Sequence, residues 1–362
     1  MGKLRTAIVG SGKVARLHAA ALKTLRESEF VAVCGRPSAR LDAFGTLHGV
    51  RVFHDVEEMV RKAAVEAVCV CTSHPEHAAP AIAAANAGAH VLVEKPLAST
   101  LDDCDRMIAA ARASRVTLGV VSQRRFYPPC LRIRRALDEG KLARPVLASA
   151  VMFGWRDEAY YRSDPWRGKW REEGGGVLVN QAPHQLDLLL WYMGEIDQVC
   201  GYWGNLNHPY IEVEDTAVAV VRFRNGGLGS ILVSNSQNPA IHARVSVHGS
   251  NGASVGVQTD GGAMFVAGLT TIGDAPFNDV WTVQGEQDRL ERWKGEDAEL
   301  FRSVDATTHF HREQIQDFLR AALEGRDPLV TGEDGRRTVE LFTAIYRSNR
   351  EGRPINFPLA AD

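Results

Sequence analysis

The stretch Thr6-Ala7-Ile8-Val9-Gly10-Ser11-Gly12-Lys13-Val14-Ala15-Arg16 decides how the rest of this chain is read. An apolar run leads into Gly-x-Gly-x-x-Ala, and a helix-like segment follows over residues 14–24. Gly10 permits a tight turn out of a strand. Gly12 lets the backbone approach a phosphate, and Ala15 keeps helix and strand close. A helix start adds N–H groups and the positive end of its dipole. The segment therefore suits a dinucleotide pyrophosphate, with Gly10, Ser11, Gly12, Lys13 and Val14 around it. The competing reading is a glycine turn in another kind of α/β domain. A second strand-like run, residues 30–34, begins about 20 residues on and favours the dinucleotide.

Working outward, strand-like runs at 6–9, 30–34, 67–71, 90–93 and 117–121 alternate with helix-like runs at 14–24, 38–47, 56–61, 75–87 and 101–114. This rhythm predicts a parallel sheet with helices on both faces. Thr100 caps the start of the 101–114 helix, and Gly88 suits a helix end. Past Val121 the pattern changes. A basic helix is expected over 128–138, and period-two runs follow at 146–155, 198–205, 215–224, 227–235, 243–249 and 253–258. Those runs predict a mostly antiparallel sheet, interrupted by a helix over 176–193 and followed by helices over 308–323 and 335–349. Asp260-Gly261-Gly262 reads as a turn, while 268–288 carries no clear pattern.

A length of 362 residues fits two domains. Lys and Arg total 42 against 44 Asp and Glu, a net charge of −2, so neither nucleic acid nor an anionic membrane is an expected partner. No apolar run approaches ~18 residues, and no hydrophobic leader opens the chain, so the expectation is a cytoplasmic protein. The six cysteines, Cys34, Cys69, Cys71, Cys104, Cys130 and Cys200, are scattered and read as buried free thiols.

Three segments carry chemistry. In an NAD site of this type an acid ends the second strand and holds the ribose 2′-hydroxyl. Here Gly35 stands in that place, with Arg36, Ser38 and Arg40 nearby. Glycine leaves room for a 2′-phosphate, Arg36 can pair with it and Ser38 can donate to it, so NAD(P) is expected with a lean to NADP. Arg36 lying on the adenine face, with NAD accepted, is the alternative. Next, Val91-Leu92-Val93-Glu94-Lys95-Pro96-Leu97 puts Lys95 at the carboxyl end of a parallel strand, where ligands bind, with Pro96 suited to a cis bond.

The third segment runs from Gly174-Gly175-Gly176 to Asp187. If it is helical, Asn180, His184 and Asp187 share one face, although Pro183 invites a start or kink. Oxidising a secondary alcohol needs a hydride acceptor and a proton acceptor. His184 can take the proton, Lys95 can stabilise the developing oxygen charge, and Asn180 can orient a hydroxyl. His74 and His77 lack a completing cysteine or carboxylate set, so no metal is expected, and they are placed at a turn beside the nicotinamide. Upstream, residues 155–170 are rich in aromatics and arginines. Tyr161 and Trp166 suit a sugar face, and Arg167 or Lys169 suits hydroxyls or a carboxylate. A packed interface loop is the competing reading.

Taken together, these residues resemble the Gfo/Idh/MocA family of oxidoreductases. The landmarks are Gly10-Ser11-Gly12-Lys13-Val14-Ala15, Thr72-Ser73-His74-Pro75-Glu76-His77, Glu94-Lys95-Pro96-Leu97, Gln123-Arg124-Arg125-Phe126, and Gly174-Gly175-Gly176 through His184 and Asp187. The resemblance implies a doubly wound Rossmann domain over 1–122 and an α/β domain with a large open sheet over 123–362. It implies a homo-oligomer, dimer or tetramer, formed through that sheet. It also implies hydride transfer with a sugar, a sugar derivative or a cyclitol. Lys95 and His184 take catalytic roles; Lys95, Arg125, Asn180, Tyr161, Trp166, Arg167 and Asp187 are expected on the substrate. Thr72, Ser73, His74, His77, Glu94, Lys95 and Gln123 join the cofactor set. Many members carry Asp where this chain has Asn180, which leaves His184 as the proton shuttle. Two rivals stay open: glycoside cleavage with a recycled nicotinamide, and a non-catalytic nucleotide-binding protein. The leading reading requires the nicotinamide, the Lys95 amine and the His184 imidazole to face one polyol.

Overall fold

Apolar β-branched runs without alternation build the first sheet. The computed structural model of the chain describes residues 2–261 and 274–359. Six strands run in the order β3-β2-β1-β4-β5-β6: β1 (Leu4–Val9), β2 (Ser28–Cys34), β3 (Arg51–Phe53), β4 (Ala67–Val70), β5 (His90–Val93) and β6 (Leu118–Val120). Every pairing is parallel. All four residues of β4 are buried, as both-sided helix cover demands. The helices between the strands are α1 (Lys13–Thr24), α2 (Ala39–His48), α3 (Val56–Ala63), α4 (Ala78–Asn86) and α5 (Leu101–Ser114). Ser38, Asp55 and Thr100 each cap a helix start by accepting a backbone N–H. Strand order reverses direction of growth between β1 and β4, which is where ligands collect in such sheets.

The rest of the chain forms α6 (Pro128–Asp138), β7 (Pro145–Phe153), α7 (Glu158–Arg162), α8 (Trp170–Glu173), α9 (Val177–Asn180), α10 (Pro183–Met193), β8 (Ile196–Gly204), β9 (Thr216–Phe223), β10 (Leu228–Ser234), β11 (His242–Gly249), β12 (Ser254–Gly261), β13 (Phe277–Trp281), α11 (Leu290–Ser303), α12 (Ala306–Glu324), α13 (Gly332–Glu351) and β14 (Ile355–Asn356). Its eight-stranded sheet has the order β13-β12-β11-β7-β10-β9-β8-β14. Only β7 and β10 pair in parallel. In β9 the even-numbered side chains from Val218 to Arg222 are exposed and the odd ones from Ala217 to Phe223 buried, the period-two signature read from the sequence.

Two compact units result. One holds the chain up to Gln123 together with Thr307–Val339; the other holds Arg124–Ala306 together with the chain from Glu340 onward. The contiguous division at 122/123 expected above therefore differs from the structure over 307–339. The reason is apolar burial: Ile315, Phe318 and Leu319 of α12 sit in the same core as Leu4, Ile8, Leu22 and Val33. Gln314 also finishes the β6 edge, accepting from Ser122 N at 2.9 Å and donating to Val120 O at 2.8 Å.

The helix expected over 176–193 is broken into α9 and α10, with Pro183 at the first turn of the second. Strands β3 and β13 and helices α7, α8 and α11 were not anticipated. Residues 262–273 lie outside the described residues, and with them part of the Asp260–Gly262 turn and of the 268–288 stretch. No helix among the described residues is long and apolar enough to cross a membrane.

Candidate active site

Gly10 has φ of +103°, and a Cβ there would lie 2.7 Å from Cys71 O, so both conformation and space demand glycine. Gly12 is the N-cap of α1, and a Cβ added to it would meet nothing within 4 Å. No side chain caps this helix and its first turn has no acid. Ser11, Lys13 and Val14 flank that end. Ala15, fully buried, packs α1 against the sheet. An open glycine cradle before a positive helix end fits a dinucleotide pyrophosphate. Gln123 adds a second point of fit: it is buried, and its Oε1 has no hydrogen-bond partner.

At the end of β2, a Cβ on Gly35 would sit 3.3 Å from Leu41 Cδ1. Arg36 is 88% exposed, and its guanidinium lies 3.5 Å from Glu76. Ser38 Oγ accepts from Leu41 N at 3.3 Å as the α2 cap, which leaves the hydroxyl proton able to donate elsewhere. Arg40 is exposed beside it.

Two expected cofactor contacts are corrected by their surroundings. The His77 ring is fully buried, with Nδ1 2.8 Å from Pro96 O and Nε2 3.2 Å from Thr72 O. It braces the 95–97 turn against the end of β4 instead of facing a ligand. Glu94 points inward: Oε1 pairs with His18 Nε2 at 2.7 Å, and Oε2 accepts Lys95 N at 3.2 Å. Burial alone would raise the Glu94 carboxyl, but His18, His311 and Lys95 bring it down to about 2. Burial likewise would depress His18, yet Cys71, Cys69 and Glu94 hold it well above its usual value. Glu94 thus anchors the backbone that presents Lys95. The Lys95–Pro96 bond is cis, as the sequence suggested. Thr72 Oγ1 donates to Glu76 O at 2.9 Å, closing a short turn that begins at Ser73 and His74.

In the second unit Gly175 and Gly176 allow close packing, while Gly174 ends α8 with a positive φ. A Cβ on Gly176 would lie 1.8 Å from Glu214 O, and one on Gly175 2.4 Å from the Tyr346 hydroxyl. The Glu214 carboxylate accepts from Gly176 N at 2.8 Å, Leu178 N at 3.0 Å and the Tyr346 hydroxyl at 2.8 Å. It therefore caps α9, the helix that ends at Asn180. Asn180 Nδ2 donates to Glu173 Oε1 and, at 3.2 Å, to the Tyr160 hydroxyl. Gln181 Nε2 donates to the same hydroxyl at 3.0 Å, and Arg167 Nη1 also donates to it. Burial pushes Glu173 and Glu214 each up to about 7.

His184 lies in the first turn of α10, 8% exposed. Asp187 follows on the same helix. Its two oxygens take Arg125 Nε at 2.8 Å and Nη2 at 2.6 Å, a buried bidentate pair. The pair ties α10 to the chain at 125, a supporting part that stands beside the substrate roles expected of Arg125 and Asp187. Arg167 lies over the rings of both Trp166 and Tyr160, and Tyr161 packs edge-on to Tyr160. The structure thus brings Asn180, Tyr161, Trp166 and Arg167 together through Tyr160. Sequence reading missed Tyr160, Gln181, Glu173 and Glu214. Glu173, in Arg171-Glu172-Glu173, carries no signal that separates it from a solvated charge run. Among the described residues, no group of three or more His, Cys, Asp and Glu is placed to hold a metal ion.

Residues 4–122 match the oxidoreductase family with an NAD-binding Rossmann fold, and residues 130–255 match the GFO/IDH/MocA C-terminal domain. A myo-inositol 2-dehydrogenase from Thermotoga maritima is 27% identical, over 97% of this chain and 98% of its own. A scyllo-inositol 2-dehydrogenase (NADP(+)) from Bacillus subtilis is 26% identical, over 84% of this chain and 82% of its own. The WlbA dehydrogenase from Bordetella pertussis, solved in complex with NADH and UDP-GlcNAcA, superposes with a TM-score of 0.85 at 29% identity, covering 99% of each chain. The chain belongs to the Gfo/Idh/MocA oxidoreductase family, and it is an enzyme of the family's dehydrogenase and reductase kind with an NAD-binding Rossmann unit.

Proposed function

We propose that this enzyme moves hydride between a nicotinamide dinucleotide and a secondary alcohol of a sugar, a sugar derivative or a cyclitol. The observation that carries the reading is the build of the first unit, where an open Gly12 cradle at α1 and a Glu94-anchored Lys95 stand at the carboxyl ends of β1 and β5, with β4 between them. The nicotinamide supplies the hydride acceptor. His184 takes the hydroxyl proton, and Lys95 stabilises charge on the oxygen as the carbonyl forms. Asn180, with its amide nitrogen held by Glu173 and Tyr160, orients a hydroxyl. Gly35, Arg36, Ser38 and Arg40 support a preference for NADP, since a glycine and not an acid follows β2 and leaves room for a 2′-phosphate.

A panel of cyclitols, neutral sugars and uronates, assayed with NAD and NADP side by side, tests the reading. Reduced cofactor accumulates with at least one substrate; a tenfold preference for NAD would remove the role of Arg36. His184→Ala lowers turnover by about two orders of magnitude, as loss of a positioned acid–base group does, with affinity for the preferred cofactor within about twofold. Near-normal turnover in that variant takes His184 out of the mechanism.

A further inference from the structure

Among the described residues, Arg156 is a buried cation with no carboxylate in ion-pair distance. It is 6% exposed. Its Nη1 donates to Trp155 O at 2.7 Å, and its Nε has no hydrogen-bond partner. Removing a guanidinium from water without pairing it is costly, and such groups persist where a ligand supplies the missing charge. Its backbone is held firmly. His208 Nε2 lies 2.8 Å from Arg156 O, while His208 Nδ1 pairs with the buried Asp215 at 2.7 Å, and Arg156 N donates to Asn235 O at 3.2 Å.

A second observation points the same way. The Arg156 guanidinium lies 5.2 Å from the centre of the Tyr160 ring, and that of Arg167 lies 4.2 Å from it. Next to this pair is a cavity of about 270 Å³ whose walls include Tyr161, Tyr210, Arg162, Arg167 and Lys169, with Asp164 as its lone acid. Asp164 pairs with Arg167 at 3.2 Å, and Arg162 pairs with Glu158, which leaves Lys169 as the positive balance of the walls; Arg156 is not itself a wall residue and joins them through the Tyr160 ring that it shares with Arg167. Tyrosine faces suit a sugar ring, and arginine suits the planar oxygens of a carboxylate or the oxygens of a phosphate. The Tyr160 hydroxyl that Arg167 holds is the one that also holds Asn180, so the cationic group adjoins the substrate-orienting amide.

We infer that Arg156, with Arg167 and Lys169, forms an anion subsite, and that the substrate is an acidic sugar derivative carrying a carboxylate or phosphate. This rests on the dehydrogenase reading above and deepens it.

Calorimetric titration of the full-length protein with matched ligands tests it without turnover. The pairs are D-glucuronate with D-glucose, UDP-glucuronate with UDP-glucose, and D-glucose 6-phosphate with D-glucose. In at least one pair the acidic member binds about tenfold or more tighter, and which pair does so separates carboxylate from phosphate recognition. Arg156→Met brings that member to the level of its neutral partner while the neutral ligand stays within about twofold. Arg156→Lys, which keeps the charge and loses the fork, retains part of the preference, and Lys169→Ala lowers it; these two decide the matter should Arg156→Met fail to fold. Equal affinity within every pair, absence of binding included, overturns the inference, as does a preference that survives Arg156→Met. Oxidation of neutral polyols would still uphold the dehydrogenase reading in that event, and selective binding without any cofactor reduction would sink that reading instead.

Discussion

At the scale of single residues, the Glu-Lys-Pro motif divides its labour. Lys95 is the residue to which we assign the chemistry, and Glu94 looks inward to His18. The helix that carries His18 is the one whose start forms the phosphate cradle, so one ion pair links cofactor-binding helix and lysine backbone. Its strength has a defined pH window. The Glu94 carboxyl is lowered to about 2, so its contribution is present above the ordinary value of 4.5 and lost as pH falls towards 2. His18 is raised, so its contribution is full below 6.5 and fades as pH climbs through its folded-state value. Breaking one side of a buried pair costs ~3–5 kcal/mol. Glu94→Gln is therefore expected to lower the melting temperature by roughly 6 °C or more at pH 6, with the gap narrowing at pH 3. Scanning calorimetry at the two pH values checks this; a deficit that does not change with pH would assign the loss to packing alone.

At the scale of elements, α9 is a short helix that depends on one acid. Glu214 supplies acceptors to the N–H groups of Gly176 and Leu178 and to Tyr346, and the glycines let the segment just before β9 that carries Glu214 approach that closely. Both Glu214 and its neighbour Glu173 are raised to about 7 by burial. A raised carboxyl contributes stability that is full below 4.5 and is lost as pH rises to its folded-state value of about 7, so the segment weakens between about pH 4.5 and 7. Amide exchange of residues 176–181 should speed up over that range beyond its intrinsic base catalysis. Glu214→Gln, which cannot ionise, should flatten the excess; an unchanged excess in that variant refutes the assignment. These elements also mark where the sequence was legible. The parallel strands were readable because continuous apolar runs admit few other fates, and β9 was readable because alternation exposes one side. α9 and α10 read as one helix because period counting does not register Pro183 restarting the turn. α11 escaped notice because the most buried position of its inner face is Asp297, bound to Arg132, which interrupts the apolar spacing of Leu290, Trp293, Leu300 and Phe301. Of the candidate site, the polar landmarks were legible as residue types and spacing. The inward turn of Glu94 to His18 and of His77 to Pro96 was not, since the direction a side chain takes depends on partners far away in the chain.

For the whole molecule, the large sheet leaves one face unfinished. Ala217, Ala219, Val221 and Phe223 turn into the core, while the other face of four adjacent strands, β7, β10, β9 and β8, presents Leu147, Leu228, Leu232, Val218, Val220 and Tyr202. The register sets Leu228 opposite Leu147, and Leu232 and Tyr202 on either side of Val218, so these side chains form one contiguous stripe. Val220 is 63% exposed, Tyr202 67% and Leu228 55%. Isolated apolar residues on a surface need no explanation, but a contiguous apolar band across four strands is unusual for a protein that works as a monomer. A second copy of the same chain is the occupant that a symmetric, self-complementary band suits, with its own band laid face to face. The native enzyme is then expected to elute as a dimer or tetramer at micromolar concentration by light scattering. Val220→Asp with Leu232→Asp places charges in the middle of the band without touching either strand's buried face. It should shift the population to monomer while the far-ultraviolet circular dichroism is unchanged. A wild-type chain that is monomeric throughout this range, or a double variant that keeps the native mass, would show that the band serves some other purpose.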